Sequence, residues 1–283
     1  MPAKSRRRVG GEKAQARRAG VAAPASFANQ VYEMDCIGGM RDRLPEKSID
    51  IIVTSPPYNI GVDYGAHDDA MPFGRYLEWM EEFGAMCDRV LKDDGSLYFN
   101  IGDKPSDEFR SFRVAQRIAA RLRLQNTLHW VKSIAIPEHG VNVGHFKPVN
   151  SRRHVNSCHE YIFHFTKSGK VPIKKTAIGV PYADKSNIAR WKHDNGDMRD
   201  RGNQWFIPYD TVVSKKGHPA AFPERLPEMC IRLSGFDRST IVLDPFMGSG
   251  TTCAAARRLG CQYVGFEIDP EYIRAARERI GKD

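Results

Sequence analysis

Apolar positions along the chain follow two rhythms that alternate. "IDIIV" (Ile49–Val53) is a β-branched run that stops at Pro56-Pro57, which predicts a buried strand feeding a loop. Between Arg75 and Leu91, Tyr76, Met80, Phe83, Cys87 and Val90 recur at helical spacing, and Gly95 follows, so a helix packs on the sheet. "SLYFNIGD" (Ser96–Asp103) predicts the next strand, and Phe109–Leu124 an amphipathic helix with arginines outward. "TLHWVKS" and "HEYIFHFTKS" are further strand candidates. Residues 167–215 keep no period and read as loops, either variable surface or a recognition surface. Order resumes with a helix at Pro223–Leu233 closed by Gly235, strand "STIVLD", helix Thr251–Leu259, strand "QYVGFEID" and helix Glu271–Ile280. Strands alternating with helices imply an α/β fold with a doubly wound, mostly parallel sheet and one loop-rich segment.

Composition changes this picture in two places. Of the formal charge of +9, residues 1–26 carry +6, since Lys4, Arg6, Arg7, Arg8, Lys13, Arg17 and Arg18 face only Glu12. That stretch lacks an apolar pattern and reads as a disordered basic arm, either a solubilising tail or an arm that binds phosphates; residues 27–283 form the domain. No apolar run has the length of a secretory signal or a membrane span, so a soluble, cytoplasmic protein without membrane contact is expected. Six cysteines without a CxxC pair predict reduced thiols, and the Cys158, His159, His154 and His164 cluster reads as strand side chains with an exposed polar face rather than metal ligands.

Two loops carry candidate chemistry. Thr54-Ser-Pro-Pro-Tyr-Asn59 follows the carboxyl end of the "IDIIV" strand, where ligands bind in open α/β sheets. An exocyclic amino nitrogen on a base is a poor nucleophile, because its lone pair is delocalised into the ring. Acceptors that bind both of its hydrogens draw it towards sp³ and free that lone pair. Ser55 Oγ and the Pro56 carbonyl are suited to this, on a loop that Pro-Pro stiffens, and Tyr58 offers a face for an extruded base. Asp244-Pro-Phe-Met-Gly-Ser-Gly-Thr-Thr252 is again strand, Gly-rich turn and helix. Gly248 and Gly250 permit positive φ and close approach, Thr251 or Thr252 can cap the helix, and Asp244 can hold an ammonium group. Glu267, at the end of the next strand, suits a bidentate hold on ribose hydroxyls. A nucleotide-phosphate site is the competing reading, but the turn lacks GxGxxG and the P-loop Gly-Lys-Ser/Thr.

"TSPPYN", "DPFMGSGTT" and "KGHPAAFPERL" (Lys216–Leu226) together resemble the beta class of DNA amino-methyltransferases, most nearly its cytosine-N4 branch, over about residues 30–282. Their order, catalytic motif first and cofactor motif last, distinguishes this class from most other methyltransferases. The resemblance implies a sheet of the S-adenosylmethionine-dependent methyltransferase type, with residues 167–215 as target-recognition segment. It implies Ser55, Pro56 and Tyr58 as catalytic residues, and Asp244, Phe246, Gly248 and Gly250 around the methionine part of the cofactor. Glu267 would hold the ribose and Asp35 the adenine, with His218 and Phe222 from the third segment. Adenine-N6 members mostly carry Asp where Ser55 stands, so cytosine N4 is the expected acceptor in double-stranded DNA and adenine N6 the alternative. A catalytically silent DNA-binding relative and an RNA methyltransferase are the other readings; cytosine-C5 chemistry would need a cysteine that no matching loop supplies. Such an enzyme is expected near the nucleoid, as a monomer or homodimer, with a cognate restriction endonuclease as a possible partner. Trp130, Trp191 and Trp205 read either as core residues or, for the latter two, as DNA contacts.

If the arm touches phosphates, deleting residues 1–26 lowers DNA affinity and flattens its salt dependence in a filter-binding titration. Unchanged binding across salt identifies a solubilising tail.

Overall fold

Ile49–Thr54 is buried at every position but Asp50, and its near-continuous apolar run follows from packing on both faces. Even Asp50 is used: it accepts from the Ile241 backbone N–H at 2.8 Å and pairs with Lys92 at 2.6 Å. In the computed structural model, residues 25–62, 69–146, 148–190, 196–208 and 221–282 are described. Chain order is β1 (Gln30–Glu33), α1 (Cys36–Arg43), β2 (Ile49–Thr54), α2 (Phe73–Val90), β3 (Leu91–Ile101), α3 (Arg110–Ile118) and β4 (Arg123–Val131). A hairpin of β5 (Ser133–Ile136) and β6 (Val141–Gly144) follows, then β7 (His159–Thr166), the short β8 (Val180–Pro181) and β9 (Met198–Arg199), and β10 (Gln204–Phe206). The chain finishes with α4 (Arg225–Ser234), β11 (Ile241–Asp244), α5 (Thr251–Arg258), β12 (Gln262–Glu267) and α6 (Pro270–Lys282).

Among the described residues eight strands form the main sheet, in the order β1-β12-β11-β2-β3-β7-β4-β10. All neighbours pair in parallel except β7, which runs antiparallel to both β3 and β4. The expected doubly wound, mostly parallel sheet is therefore present. Alternation along the strands divides the core. Ile52, Leu97, Phe99 and Leu243 pack with Met40, Tyr76, Phe83 and Ile118 of α1, α2 and α3. Ile51, Val53, Tyr98 and Val242 face the other way, onto Leu226, Met229 and Leu233 of α4. No helix among the described residues is long and apolar enough to cross a membrane.

Four local expectations need correction. The helix expected to reach Leu124 ends at Ile118, because from Arg123 the backbone pairs with β7; the ladder satisfies more groups than two further helical residues would. His164 is not on an exposed face: it is fully buried, stacked on Tyr98 at 4.5 Å, with its ring nitrogens on Asn126 and Ser96. Burial pushes its pKa down to about 4, so the ring is neutral. Neither Thr251 nor Thr252 caps α5. Gly250 holds the cap position at φ +81°, while Thr252 Oγ1 donates to the Val53 carbonyl and Thr251 Oγ1 accepts from Arg279. Finally, part of the 167–215 loop segment is sheet. Trp205 of β10 pairs with Trp130 of β4, and both are buried. These two tryptophans are core residues, while Trp191 and the basic arm up to residue 24 lie outside the described residues.

Trp205→Ala should cost about 3–5 kcal/mol in denaturant unfolding, as a large core deletion does. A change below about 0.5 kcal/mol would mark a surface role instead.

Candidate active site

Parallel pairing collects the carboxyl ends of β1, β12, β11 and β2 along one edge of the sheet. Backbone bonds fix this edge: Met34 N–H donates to the Glu267 carbonyl at 3.0 Å and Met247 N–H to the Phe266 carbonyl at 3.0 Å. Asp35, Ser55, Asp244 and Glu267 come from four separate stretches of sequence and meet there. An open cavity of about 800 Å³ lies over this edge, lined by Asp35, Ser55, Pro56, Trp79, Phe246, Phe266, Glu267 and Tyr272 among others. A smaller recess of about 290 Å³, lined by Phe222, Asp244, Gly248 and Thr251, shares Ser55 and Phe246 with it. The walls of the larger cavity are mostly apolar with a few convergent acids, as small-molecule sites usually are.

The loop after β2 is pinned by residues outside its motif. Asn59 takes a positive φ of 56°. Asp69 accepts the backbone N–H groups of Asn59, Ile60 and Val62 at 2.6, 3.1 and 2.9 Å. Tyr76 of α2 donates to the Pro57 carbonyl at 2.7 Å, and Arg110 of α3 to the Asn59 carbonyl at 3.1 Å. Within the loop, Ser55 Oγ and Tyr58 Oη lie 2.9 Å apart.

The second loop is tied to the first through Thr54 Oγ1, which donates to Asp244 Oδ1 at 2.7 Å inside the core. Asp244 also accepts from Phe246 N–H at 3.2 Å. Glu267 already accepts Gly248, Ile268 and Asp269 N–H groups at 2.8, 2.8 and 2.9 Å, so it shapes the glycine turn as well as facing the cavity. Asp35 lines the cavity and caps α1 by accepting Gly38 N–H at 2.8 Å. Phe246 is wedged edge-on to Trp79 at 5.5 Å and against Phe83 at 5.2 Å. Gly250 is not among the lining residues. A Cβ there would stand 2.8 Å from Ala276 of α6, so helix packing demands this glycine. His218 lies outside the described residues.

With this geometry in place, the comparisons are specific. The family model N6_N4_Mtase, described as DNA methylase, matches residues 49–278. The chain belongs to the N6/N4 DNA methylase family. Type II methyltransferase M.BglII of Bacillus subtilis is 30% identical over 279 residues, which cover 89% of this chain and 69% of that protein. DNA adenine methyltransferase YhdJ of Escherichia coli (strain K12) is 28% identical over 270 residues, covering 91% and 85%. Among solved structures, PvuII DNA methyltransferase (cytosine-N4-specific) has the same fold, with a TM-score of 0.66 at 24% identity over 88% of this chain and 85% of that one. As a member of this family the protein is a DNA amino-methyltransferase, and its methyl donor is S-adenosylmethionine.

Sequence reading of the methylase missed Asp69, Tyr76, Arg110, Asn100, Lys132 and Glu160, all of which touch the loop after β2 or the side chains within hydrogen-bond reach of it. None belongs to a recognisable motif, and only the fold brings them near.

Electrostatics set Asp244 apart. Burial pushes its pKa up to about 6, against hydrogen bonds from Thr54 and Phe246 that pull it down. Since the folded value lies above the unfolded one, the fold holds a proton more tightly than the unfolded chain between about pH 4 and 6. Stability is therefore lost as pH rises through that window, and the full cost is present above about pH 6. Asp244→Asn should raise the melting temperature at pH 8, with the gain shrinking towards pH 4. A variant less stable than the native methylase at pH 8 would contradict this account.

Proposed function

We propose that this methylase transfers a methyl group to the N4 amino group of cytosine in double-stranded DNA, after the base leaves the helix. The observation that carries this reading is Ser55: a neutral hydroxyl at the end of β2, on a loop stiffened by Pro56-Pro57 and opening on the main cavity. Ser55 Oγ and the Pro56 carbonyl accept the two hydrogens of the amino group and leave its lone pair facing the methyl donor. Tyr58 provides the face on which the extruded base rests.

The donor set suits S-adenosylmethionine. Asp244, buried with only hydroxyl and backbone partners described, answers an ammonium group, and a cation there would restore its ordinary acidity. Glu267 reaches the ribose hydroxyls and Asp35 the adenine end, Phe246 and Gly248 surround the methionine part with Gly250 shaping their turn from behind, and His218 and Phe222 come from the third cofactor segment. When bound, the cofactor supplies an electrophilic methyl group on a sulfonium. Residues 167–215 serve target recognition around the buried Trp205 anchor. The names of the type II relatives support a partner endonuclease acting on the same site.

Adenine N6 is the second reading, because YhdJ is named an adenine methyltransferase and is similar over most of this chain. Nucleoside mass spectrometry after incubating the protein with DNA and labelled S-adenosylmethionine separates the two. N4-methylcytosine is expected; N6-methyladenine would overturn the cytosine assignment, and no methylated nucleoside the reading as a whole. Ser55→Ala should slow single-turnover methyl transfer by ~10²-fold or more, as loss of one preorganised hydrogen-bonding group does elsewhere. Cofactor affinity by calorimetry should change less than about twofold; an equal loss in both would remove Ser55 from the reacting centre.

A further inference from the structure

Ser55 and Tyr58 end in a polar cluster that no sequence motif announces. Antiparallel β7 starts where parallel β3 ends, so Glu160 arrives beside Asn100 and the loop after β2. Tyr58 Oη donates to Glu160 Oε2 at 2.8 Å. Asn100 Nδ2 donates to the same carboxylate oxygen at 2.7 Å and to Tyr58 Oη at 2.8 Å. Lys132, just past β4, pairs with Glu160 Oε1.

Among the described residues, donor and acceptor counting sets the direction of the protons that pass between these four side chains. An ionised carboxylate only accepts and an ammonium only donates, so both oxygens of Glu160 draw protons inwards. Asn100 must present its nitrogen, since the reversed amide would set Oδ1 against the carboxylate. Its Oδ1 is indeed buried with no partner among the described residues, a cost accepted to aim the nitrogen. Tyr58 has one proton, and Glu160 takes it. At 2.9 Å, Ser55 can then only be the donor to Tyr58 Oη. Its own oxygen receives no more than a long 3.4 Å approach from Asn100 and keeps a lone pair for an incoming N–H.

We propose that Glu160 is a positioning residue for methyl transfer, ordering the Tyr58 and Ser55 hydroxyl protons so that Ser55 Oγ meets the target amino group as an acceptor. This inference rests on the reading of Ser55 given above. The opposite rotor would be inhibitory, because a Ser55 proton donated to the amino nitrogen would engage the lone pair that must attack.

Two further observations fit this role. Burial alone would raise the Glu160 pKa, but the charge of Lys132 and hydrogen bonds from Lys132, Tyr58 and Asn100 hold it below the usual carboxylate value, so the acceptor state persists at neutral pH. Gly102 leaves the space for the pair: a Cβ there would stand 3.2 Å from Glu160 Cγ and 3.3 Å from Tyr58 Cε2.

Single-turnover kinetics on the full-length enzyme with S-adenosylmethionine and methylatable DNA test the proposal. Glu160→Gln should lower the methyl-transfer rate by ~10²-fold with KM for DNA and cofactor affinity nearly unchanged. Tyr58→Phe, which keeps the ring, should do likewise, and the double variant should be no slower than the slower single one, since both act through one chain of hydrogen bonds. Because Glu160→Gln strands the Lys132 charge, the apolar pair Glu160→Met with Lys132→Met, which leaves no acceptor for the Tyr58 proton, guards against misfolding and should be equally slow. A native rate in either Glu160 variant, or multiplicative losses in the double variant, would overturn the positioning role while leaving the methylase reading intact. Absence of any base methylation by the native protein would instead overturn the reading of Ser55 itself.

Discussion

A buried hydrogen bond from Thr54 to Asp244, 190 positions apart in sequence, joins the loop of Ser55 and Tyr58 to the Gly-rich turn after Asp244. It forms because β2 and β11 lie side by side in parallel with Val242 opposite Ile51, so both strands release their loops at the same edge. Thr252 strengthens the junction by donating to the Val53 carbonyl from the first turn of α5. On the proposed roles of the two loops, loosening this junction would separate the acceptor side of the reaction from the donor side. In methyl transfer, where the reacting atoms must be aligned closely, that separation is costly.

Around this junction the fold treats two acids in opposite ways. Asp244 sits among hydroxyls and a backbone N–H, and burial raises its pKa. Glu160 is also enclosed, yet an ammonium partner and two further donors hold it ionised. The same low-polarity interior therefore produces one acid that awaits a cation and one that already has its own. The first is suited to binding a charged ligand; the second is suited to holding neighbouring hydroxyls in one direction. At neutral pH the first is destabilising, and the large apolar faces packed by α1 to α4 offset it.

Antiparallel β7 is the element that makes the second arrangement available. A parallel strand at that place would send its first residues to the far edge of the sheet. Running the other way, β7 brings Glu160 to the edge that carries Ser55 and Tyr58, and it deposits His164 and Phe163 in the core on the way. Strand β10 then closes the far side through Trp205, so a segment without periodicity still contributes to the main sheet.

By itself the sequence determined the elements whose period is strong and the loops whose residues are chemically distinctive. The run at Ile49–Val53, the helix through Tyr76 and Phe83, and the Gly-rich turn after Asp244 are local facts, set by backbone sterics and by the spacing of apolar side chains. Those same loops carry Ser55, Tyr58 and Asp244, so the family could be read before the fold was known. Only the tertiary structure decided which way β7 runs, that Trp205 is core, that Gly250 makes room for Ala276, and that Glu160 and Asn100 stand behind Tyr58. These depend on partners far away in sequence, and a strand's direction leaves no trace in its own alternation of side chains. The motifs name the candidate groups, and packing decides which residues stand behind them.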